Sequence, residues 1–166
     1  MNGAVTMARN VYLSFAGLAG MLEPLALLLA RLLVARVFWL SGLGKVENIH
    51  ILGLRLPTFS MDNSTYFLFK NVFFPELPKW FTDIAAIMAA IGELTLPLLL
   101  VFGFITRLGA LGLFVMTAVI QIFVFQDAWW PTHAWWMAIL IILIARGPGA
   151  WSADRFLGLE RGPNQK

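Results

Sequence analysis

Several side chains that could bind a cofactor stand within stretches of sequence that are otherwise apolar. The candidates are Arg31, Arg36, Glu93, Gln121 and His133. A charge at the centre of a bilayer costs about 2.5–3.5 kcal/mol on insertion scales, so such residues are by default candidates for a functional site. Two guanidinium groups outnumber one carboxylate, and an excess buried cation suits an electron-rich ligand such as a quinone or an anionic head group. We therefore predict a quinone-type cofactor at these five residues and assign no catalytic residue.

Arg31 and Arg36 lie in one apolar run and Glu93 in another, and their depths can be compared at about 1.5 Å per residue. From one membrane face, Arg31 lies roughly 10 Å deep, Glu93 roughly 15 Å and Arg36 roughly 18 Å. We therefore expect Glu93 to pair with one of the arginines, and the sequence leaves open which. Arg36 could instead reach Gln121, and without a second acid in the apolar runs one arginine stays uncompensated. Alternatively, these charges only fix the register of the helices.

The two histidines, His50 and His133, offer imidazole groups for haem or copper. Both are predicted at the outer membrane surface, without helical metal-ligand spacing, so whether they bind anything stays open. His133 stands among four tryptophans and is our candidate for a proton donor beside a quinone. The chain has no cysteine, which excludes thiolate, iron–sulfur and disulfide chemistry. No haem, flavin or nucleotide motif is recognisable, and we predict no metal site.

The composition is that of an integral membrane protein. Of the 166 residues, 60% are hydrophobic and 13% are charged, against roughly 45–50% and 25% in soluble domains. Mean hydropathy is +0.79. The formal net charge is +3, but the Lys and Arg residues are scattered through apolar sequence. Because they form no basic stripe, we expect a lipid bilayer as a partner and no nucleic acid.

The apolar runs predict an all-α fold, an integral membrane four-helix bundle in which residues 1–166 form a single membrane domain. A span needs about 20 mostly apolar residues. We place the four spans at residues 25–44, 83–104, 108–125 and 129–146. Small residues in the third span would allow close approach of a neighbouring helix, and these are Gly109, Ala110 and Gly112.

The segments outside the spans are expected to lie at the two membrane surfaces. Residues 1–23 predict an amphipathic interfacial segment, and residues 46–82, aromatic-rich and broken by prolines, predict an outer loop. Residues 147–166 predict a cytoplasmic tail in which Ser152 caps a short helix. The short connections place more arginines on the side of the termini. This bias predicts a multi-pass protein of the bacterial inner membrane with both termini in the cytoplasm.

Two motifs resemble those of the DoxX family of small four-helix membrane proteins. The first span carries Arg31 and Lys45 at the spacing R-x13-K, with Gly42 between them. The stretch GELTLPLLLVFGFITRLGALGL then places Glu93 and Arg107 at the family's Glu and Arg positions.

A third motif lies near the end of the chain, where RGPGAWSADRFL resembles the family's closing GPG-x-x-S-x-D pattern. Its matching residues are Gly147, Gly149, Ser152 and Asp154. The resemblance covers residues 25–157. The chain departs from the family pattern at Arg36, where a small or apolar residue is common.

The resemblance implies a subunit rather than a self-contained enzyme, so whether the chain is itself an oxidoreductase stays open. We expect a membrane subunit of a redox system that binds quinone and exchanges electrons with a partner protein. The alternative is a non-catalytic membrane anchor or assembly partner of a copper- or stress-responsive peptide-modification system. The aromatic loop and the stretch QIFVFQDAWWPTH are similar to the branch of the family encoded with such enzymes. Either function implies a protein partner or a homo-oligomer.

Overall fold

The chain folds into long apolar helices with a small hairpin between the first two spans, and the computed structural model describes residues 3–160. A π-helical turn, Phe69–Phe73, extends α3, and two short turns, Gln126–Ala128 and Trp129–His133, lead into α6. In chain order the elements are α1 (Gly3–Gly20), α2 (Glu23–Leu43), β1 (Val46–Ile51), β2 (Leu54–Met61), α3 (Asn63–Leu68), α4 (Lys79–Phe102), α5 (Thr106–Phe123), α6 (Ala134–Arg146) and α7 (Ala153–Phe156).

Four helical segments are long and apolar enough to cross a membrane, and they follow the predicted order. They are Glu23–Leu43, Lys79–Phe102, Thr106–Phe123 and Gln126–Arg146. The second begins earlier than the predicted residue 83. Pro78 provides an extended residue before the helix, and Lys79 pairs with Asp83 one turn later, at 2.6 Å. The apolar runs therefore predicted the number and order of the spans, while Pro78 and the Lys79–Asp83 pair mark where the second one begins.

The spans pack in a closed order, α2 against α4 and α6, and α5 against α4 and α6. The predicted close approach at small residues is confirmed. A methyl group on Gly109 would lie 2.9 Å from Leu100, and one on Gly112 would lie 2.8 Å from Leu96. The buried apolar core comprises Leu27, Val34, Ala35, Phe38, Leu100, Ala110, Leu113, Leu140 and Leu143.

The expectation of an all-α fold is wrong for residues 46–61, where β1 and β2 form an antiparallel hairpin. Leu52 and Gly53 both have positive φ, at 51° and 79°, as a two-residue type I′ turn requires. Asn48 and Arg55 each donate a hydrogen bond to the Leu43 carbonyl, at 2.8 and 3.0 Å. The hairpin therefore satisfies the carbonyl end of α2. The prolines of this connection had indicated only an irregular loop.

The spans alternate in direction, which gives the protein two faces. We call the face where α2 begins and α6 ends the terminal face, and the opposite one, which carries the hairpin and α3, the loop face. On the loop face, Asp62 caps α3 by accepting a hydrogen bond from the Ser64 amide at 2.8 Å. Hydrogen bonds from Ser64 lower the pKa of the Asp62 carboxyl.

Residues 147–160, which follow α6, fold back across the terminal face. Asp154 is buried, and its carboxylate accepts hydrogen bonds from the amides of Ile105 and Thr106 at 2.6 and 2.9 Å. It thereby caps the beginning of α5. Ser152 accepts a hydrogen bond from the Arg155 amide at 3.2 Å, so the predicted cap of a short helix is confirmed.

Parts of two predicted segments, residues 1–2 of the interfacial segment and residues 161–166 of the tail, lie outside the described residues. Within the interfacial segment, α1 is helical, and its described side chains are exposed. Its location on a membrane surface stays a prediction.

We expect Asp154→Asn to lower the free energy of unfolding by about 1.5–3 kcal/mol, the usual contribution of hydrogen bonds to a charged group. The amide group would face one of two backbone N–H donors with a donor of its own. The measurement is equilibrium unfolding in mixed micelles of a mild detergent and dodecyl sulfate. Asp127→Asn, at an exposed position, is the matched control and is expected to change stability by less than about 0.5 kcal/mol. Equal effects of the two substitutions would contradict the capping role.

Candidate functional site

The most buried acidic side chain within a span is paired with a lysine at the end of a neighbouring span. Glu93 of α4 is 2% exposed, and its Oε2 lies 2.5 Å from Nζ of Lys45, whose side chain is 18% exposed. Lys45 Nζ also donates to the Ser41 hydroxyl at 3.1 Å. The geometry is that of a charge-assisted hydrogen bond inside an apolar environment.

The loop face holds Lys45 in position through its backbone. The Lys45 carbonyl accepts hydrogen bonds from the Asp62 amide at 3.1 Å and from the Thr65 hydroxyl at 3.0 Å. The hairpin therefore returns the chain to the end of α2, where α3 fixes the residue that neutralises Glu93. Gly42 completes the arrangement, because a methyl group there would lie 2.9 Å from Leu94 and 3.1 Å from the Glu93 carbonyl carbon.

The predicted pairing of Glu93 with Arg31 or Arg36 is wrong. The depth comparison assumed that the first two spans reach the same level at the terminal face. In the structure α4 begins at Lys79 and extends beyond the end of α2. Glu93 consequently lies level with Gly42, near the end of α2, and not level with the arginines.

Arg31 is buried near the terminal face and has other partners. Its guanidinium donates to the Leu100 carbonyl at 3.3 Å and to the Trp151 carbonyl, and it interacts electrostatically with Asp154. The sequence had indicated no second acid for the buried arginines because only the spans were considered. One of its two hydrogen-bond acceptors, the Trp151 carbonyl, comes from the segment after the last span, so Arg31 fastens that segment to α2 and α4.

Arg36 lies on the outer side of α2, away from Glu93 and Gln121. It is exposed and takes part in no ion pair within residues 3–160. Its neighbours on this side of the helix are also exposed, including Leu29, Leu33 and Leu40. Arg36 is therefore a charged residue in the middle of an apolar, outward-facing stripe.

The structure does bring together Gln121 and His133, two of the predicted cofactor residues. Gln121 Nε2 donates to the Gln126 carbonyl at 2.6 Å, which directs Oε1 towards His133 Nδ1, 2.6 Å away. Nδ1 must then carry the hydrogen, and Nε2 is the free ring nitrogen. The expectation that His133 lies on the surface is wrong, since it is 3% exposed and packs on Trp136. His50 is exposed, in β1.

A cavity of about 480 Å³ lies beside the Lys45–Glu93 pair. Its walls come from α4 and α5, and the aromatic turn after α3 closes it on the loop face. Phe73 of that turn packs edge-on against Phe125, with ring centroids 5.8 Å apart. Most of the lining is apolar, comprising Phe69, Phe73, Phe74, Ala85, Met88, Ala89, Gly92, Leu96, Val115, Met116, Val119, Ile120, Val124 and Phe125; the polar lining is Ser41, Lys45 and Glu93.

Only one of the five predicted cofactor residues, Glu93, lines this cavity. Sequence reasoning missed Ser41 as a site residue and gave Lys45 only a motif role. The available signal was the spacing of Ser41 and Lys45, which are four residues apart and so share a helix face. The aromatic turn carried no comparable signal, because its location over the cavity depends on the hairpin.

The remaining motif residues lie on the terminal face. Arg107 pairs with Glu160 at 2.5 Å and donates to the carbonyls of Ile144 and Ala145. Gly147 and Gly149 have φ of 81° and 83°, which turns the chain back towards α5 after α6.

Removal of Lys45 is expected to destabilise the protein more than removal of Glu93. Lys45→Met leaves a buried carboxylate without its partner and should lower the free energy of unfolding by about 3–5 kcal/mol. Glu93→Leu leaves an ammonium group that is partly exposed, so its effect should be smaller. The double variant should regain most of the loss, because an apolar replacement of both members of a buried pair is often neutral. Equilibrium unfolding in mixed micelles measures all three.

The exposed pair Lys79–Asp83 is the control for this cycle. The Lys79 side chain is 74% exposed, and Lys79→Met should change the free energy of unfolding by less than about 1 kcal/mol. A double variant at Lys45 and Glu93 that loses the sum of the two single effects would show that the two charges are not coupled.

The comparisons with known proteins give one match. The family model for DoxX matches residues 26–126, a range that contains Arg31, Lys45, Glu93 and Arg107 and ends before the closing glycine motif. No curated protein matches the chain, and no solved structure does. The matched range is more than half of the chain, and the four apolar helical segments agree with a membrane family. The chain is therefore a multi-pass membrane protein that belongs to the DoxX family.

Proposed function

We propose that this protein is a membrane subunit of a redox system, which binds a quinone in the cavity beside Lys45 and Glu93 and exchanges electrons with a partner protein. The observation that carries the proposal is a paired ammonium and carboxylate at one end of an otherwise apolar cavity. Small-molecule sites are mostly apolar with a few convergent polar groups, and their volumes are roughly 300–1,000 Å³. The cavity, at about 480 Å³, falls within that range.

The location of the cavity suits a ligand that is dissolved in the membrane. Met88 and Val115 contribute to its lining, and they are 63% and 54% exposed on the outer surface of α4 and α5. A lipid-soluble molecule could therefore enter sideways between these helices without crossing water. The rings of Phe69 and Phe73 lie over the loop-face end and would exclude water from a planar ring.

Lys45 is the group that would hold a carbonyl oxygen. An ammonium group has three N–H donors, and Glu93 and Ser41 accept two of them. The third remains for a ligand in the cavity, and Glu93 keeps the ammonium charged and fixed in direction. A bound quinone would supply two-electron, two-proton chemistry, and we assign the electron donor to a partner chain. Arg31, Arg36, Gln121 and His133 have no part in this revised site.

For the orientation, we infer that the terminal face lies in the cytoplasm of the bacterial inner membrane. Arg107, Arg146 and Arg155 lie on that face. Short segments that carry Lys and Arg are favoured on the cytoplasmic side of a membrane. The quinone would then bind near the outer surface of the membrane.

We expect wild-type protein in lipid nanodiscs to bind decylubiquinone, used as the probe, with one molecule per chain. The double variant Lys45→Met/Glu93→Leu should bind at least about tenfold more weakly, the equivalent of one lost charge-assisted hydrogen bond. Ala89→Phe should abolish binding by filling the cavity without altering the ion pair. Binding is measured by calorimetry and by extraction of the retained quinone.

The matched control for the cavity-filling variant is Ala138→Phe. Ala138 is exposed on α6 and does not line the cavity, so this variant should bind decylubiquinone as the wild type does. Unfolding curves establish that each variant is folded. Equal binding by the wild type, the double variant and Ala89→Phe would refute a quinone site in this cavity.

A second candidate is a non-catalytic membrane anchor or assembly partner of a copper- or stress-responsive peptide-modification system, and the exposure of Arg36 favours it. A guanidinium facing lipid within a span is costly. A partner helix that carries a carboxylate at the same depth would remove that cost and bury the leucines around Arg36. A second copy packed through the same face would bring two arginines together, so the expected partner is a different chain.

Arg36→Leu separates this candidate from the first. We expect it to leave decylubiquinone binding and stability intact, since Arg36 has no part in the cavity or core. The variant should nevertheless lose co-purification, in mild detergent, of a membrane protein encoded beside it. Leu111→Ala, at an exposed position on α5, is the control and should retain the partner. Undiminished co-purification by Arg36→Leu would exclude an Arg36-dependent interface.

A further inference from the structure

A second cavity, of about 550 Å³, lies on the terminal face and is separate from the Lys45–Glu93 site. Its charged lining consists of the guanidinium groups of Arg107, Arg146 and Arg155 and the carboxylates of Glu23 and Glu160. Leu27, which is 6% exposed, forms part of its apolar wall. Neither the DoxX family assignment nor the proposed quinone site gives this cavity a role.

The position of this cavity along the membrane normal follows from the elements that line it. Glu23 is the first residue of α2, and Arg146 is the last residue of α6. Both are ends of membrane spans, so the cavity lies at the level of lipid head groups. Leu27 lies one turn deeper, at the level where acyl chains begin. The cavity therefore presents charged side chains to a lipid head group and an apolar wall to the beginning of the acyl chains.

The charges of this cavity are arranged in pairs with one cation in excess. Arg146 pairs with Glu23 at 2.5 Å, and Arg107 pairs with Glu160 at 2.5 Å. Arg155 is exposed and takes part in no ion pair within residues 3–160. A ligand suited to this lining carries an anion for Arg155, and it can add a donating cation for Oε2 of Glu23, because Arg146 contacts only Oε1 of that carboxylate. Guanidinium groups bind phosphate through paired hydrogen bonds.

We propose that the terminal-face cavity binds a phosphate ester that also carries an ammonium group, in the form of the head group of an aminophospholipid. The phosphate takes hydrogen bonds from Arg155 and Arg146, and the ammonium donates to Glu23. Basic pockets between membrane helices bind lipid head groups by the same physics. The start of α2, which has no side-chain cap, adds favourable N–H groups for the phosphate.

The experiment is a titration of purified protein in detergent, followed by native mass spectrometry. The probes are dioleoylphosphatidylethanolamine, the phosphatidylcholine and phosphatidylglycerol with the same acyl chains, and soluble glycerophosphoethanolamine. We expect one ethanolamine lipid per chain. Choline cannot donate hydrogen bonds and glycerol lacks the cation, so the other two lipids should bind several-fold more weakly. Arg155→Gln should weaken binding of the ethanolamine lipid by about tenfold or more.

Arg9→Gln is the matched control, because Arg9 is exposed on α1 and does not line the cavity. It should bind the ethanolamine lipid as the wild type does. Equal binding of all three lipids, or the same binding by the wild type and Arg155→Gln, would overturn the proposal. Glycerophosphoethanolamine bound as tightly as the lipid would show a soluble phosphate ester as the ligand and would overturn the lipid assignment. The result does not depend on decylubiquinone binding, which takes place at the other face.

Discussion

An ionised carboxylate within an apolar helix needs a partner charge, and the position of Glu93 determines how the loop face is built. The partner, Lys45, lies just beyond the end of α2. The hairpin and α3 fix its backbone with two hydrogen bonds to the Lys45 carbonyl. The connection between the first two spans is therefore a structural requirement of the buried charge, and it also provides the aromatic turn over the cavity.

The same constraint operates at the terminal face, with the signs reversed. There the buried charge within a span is the cation, Arg31, and one of its two hydrogen-bond acceptors, the Trp151 carbonyl, comes from beyond the end of the last span. Asp154 does two things at once, because it interacts electrostatically with Arg31 and caps α5. In both cases the partner of a charge in a span comes from a segment outside the spans. The middle of the protein is left to apolar packing and small residues.

The sequence was sufficient to predict the features of this structure that depend only on residue positions within a single helix. The four spans, the cap at Ser152 and the close approach at Gly109 follow from residue type and local spacing. The pairing of Glu93 did not follow, because it depends on how far α4 is displaced along α2, and packing at Gly42 decides that displacement. The hairpin was not predicted because Pro57 was interpreted as a break in regular structure. In the structure, Pro57 lies opposite Asn48 in an edge strand, where a proline is tolerated.

Arg36 shows why the charged residues within the spans cannot share one explanation. Glu93 and Arg31 are each buried and hydrogen-bonded within the chain, Glu93 to Lys45 and Arg31 to two backbone carbonyls, so their contribution to folding depends on internal contacts. Arg36 is exposed on a face of leucines and takes part in no ion pair within residues 3–160. The stability of the isolated protein therefore does not require Arg36. If the residue is needed in the cell, its requirement must come from outside the chain, whereas Lys45 stabilises the fold by neutralising Glu93 whether or not a ligand is bound.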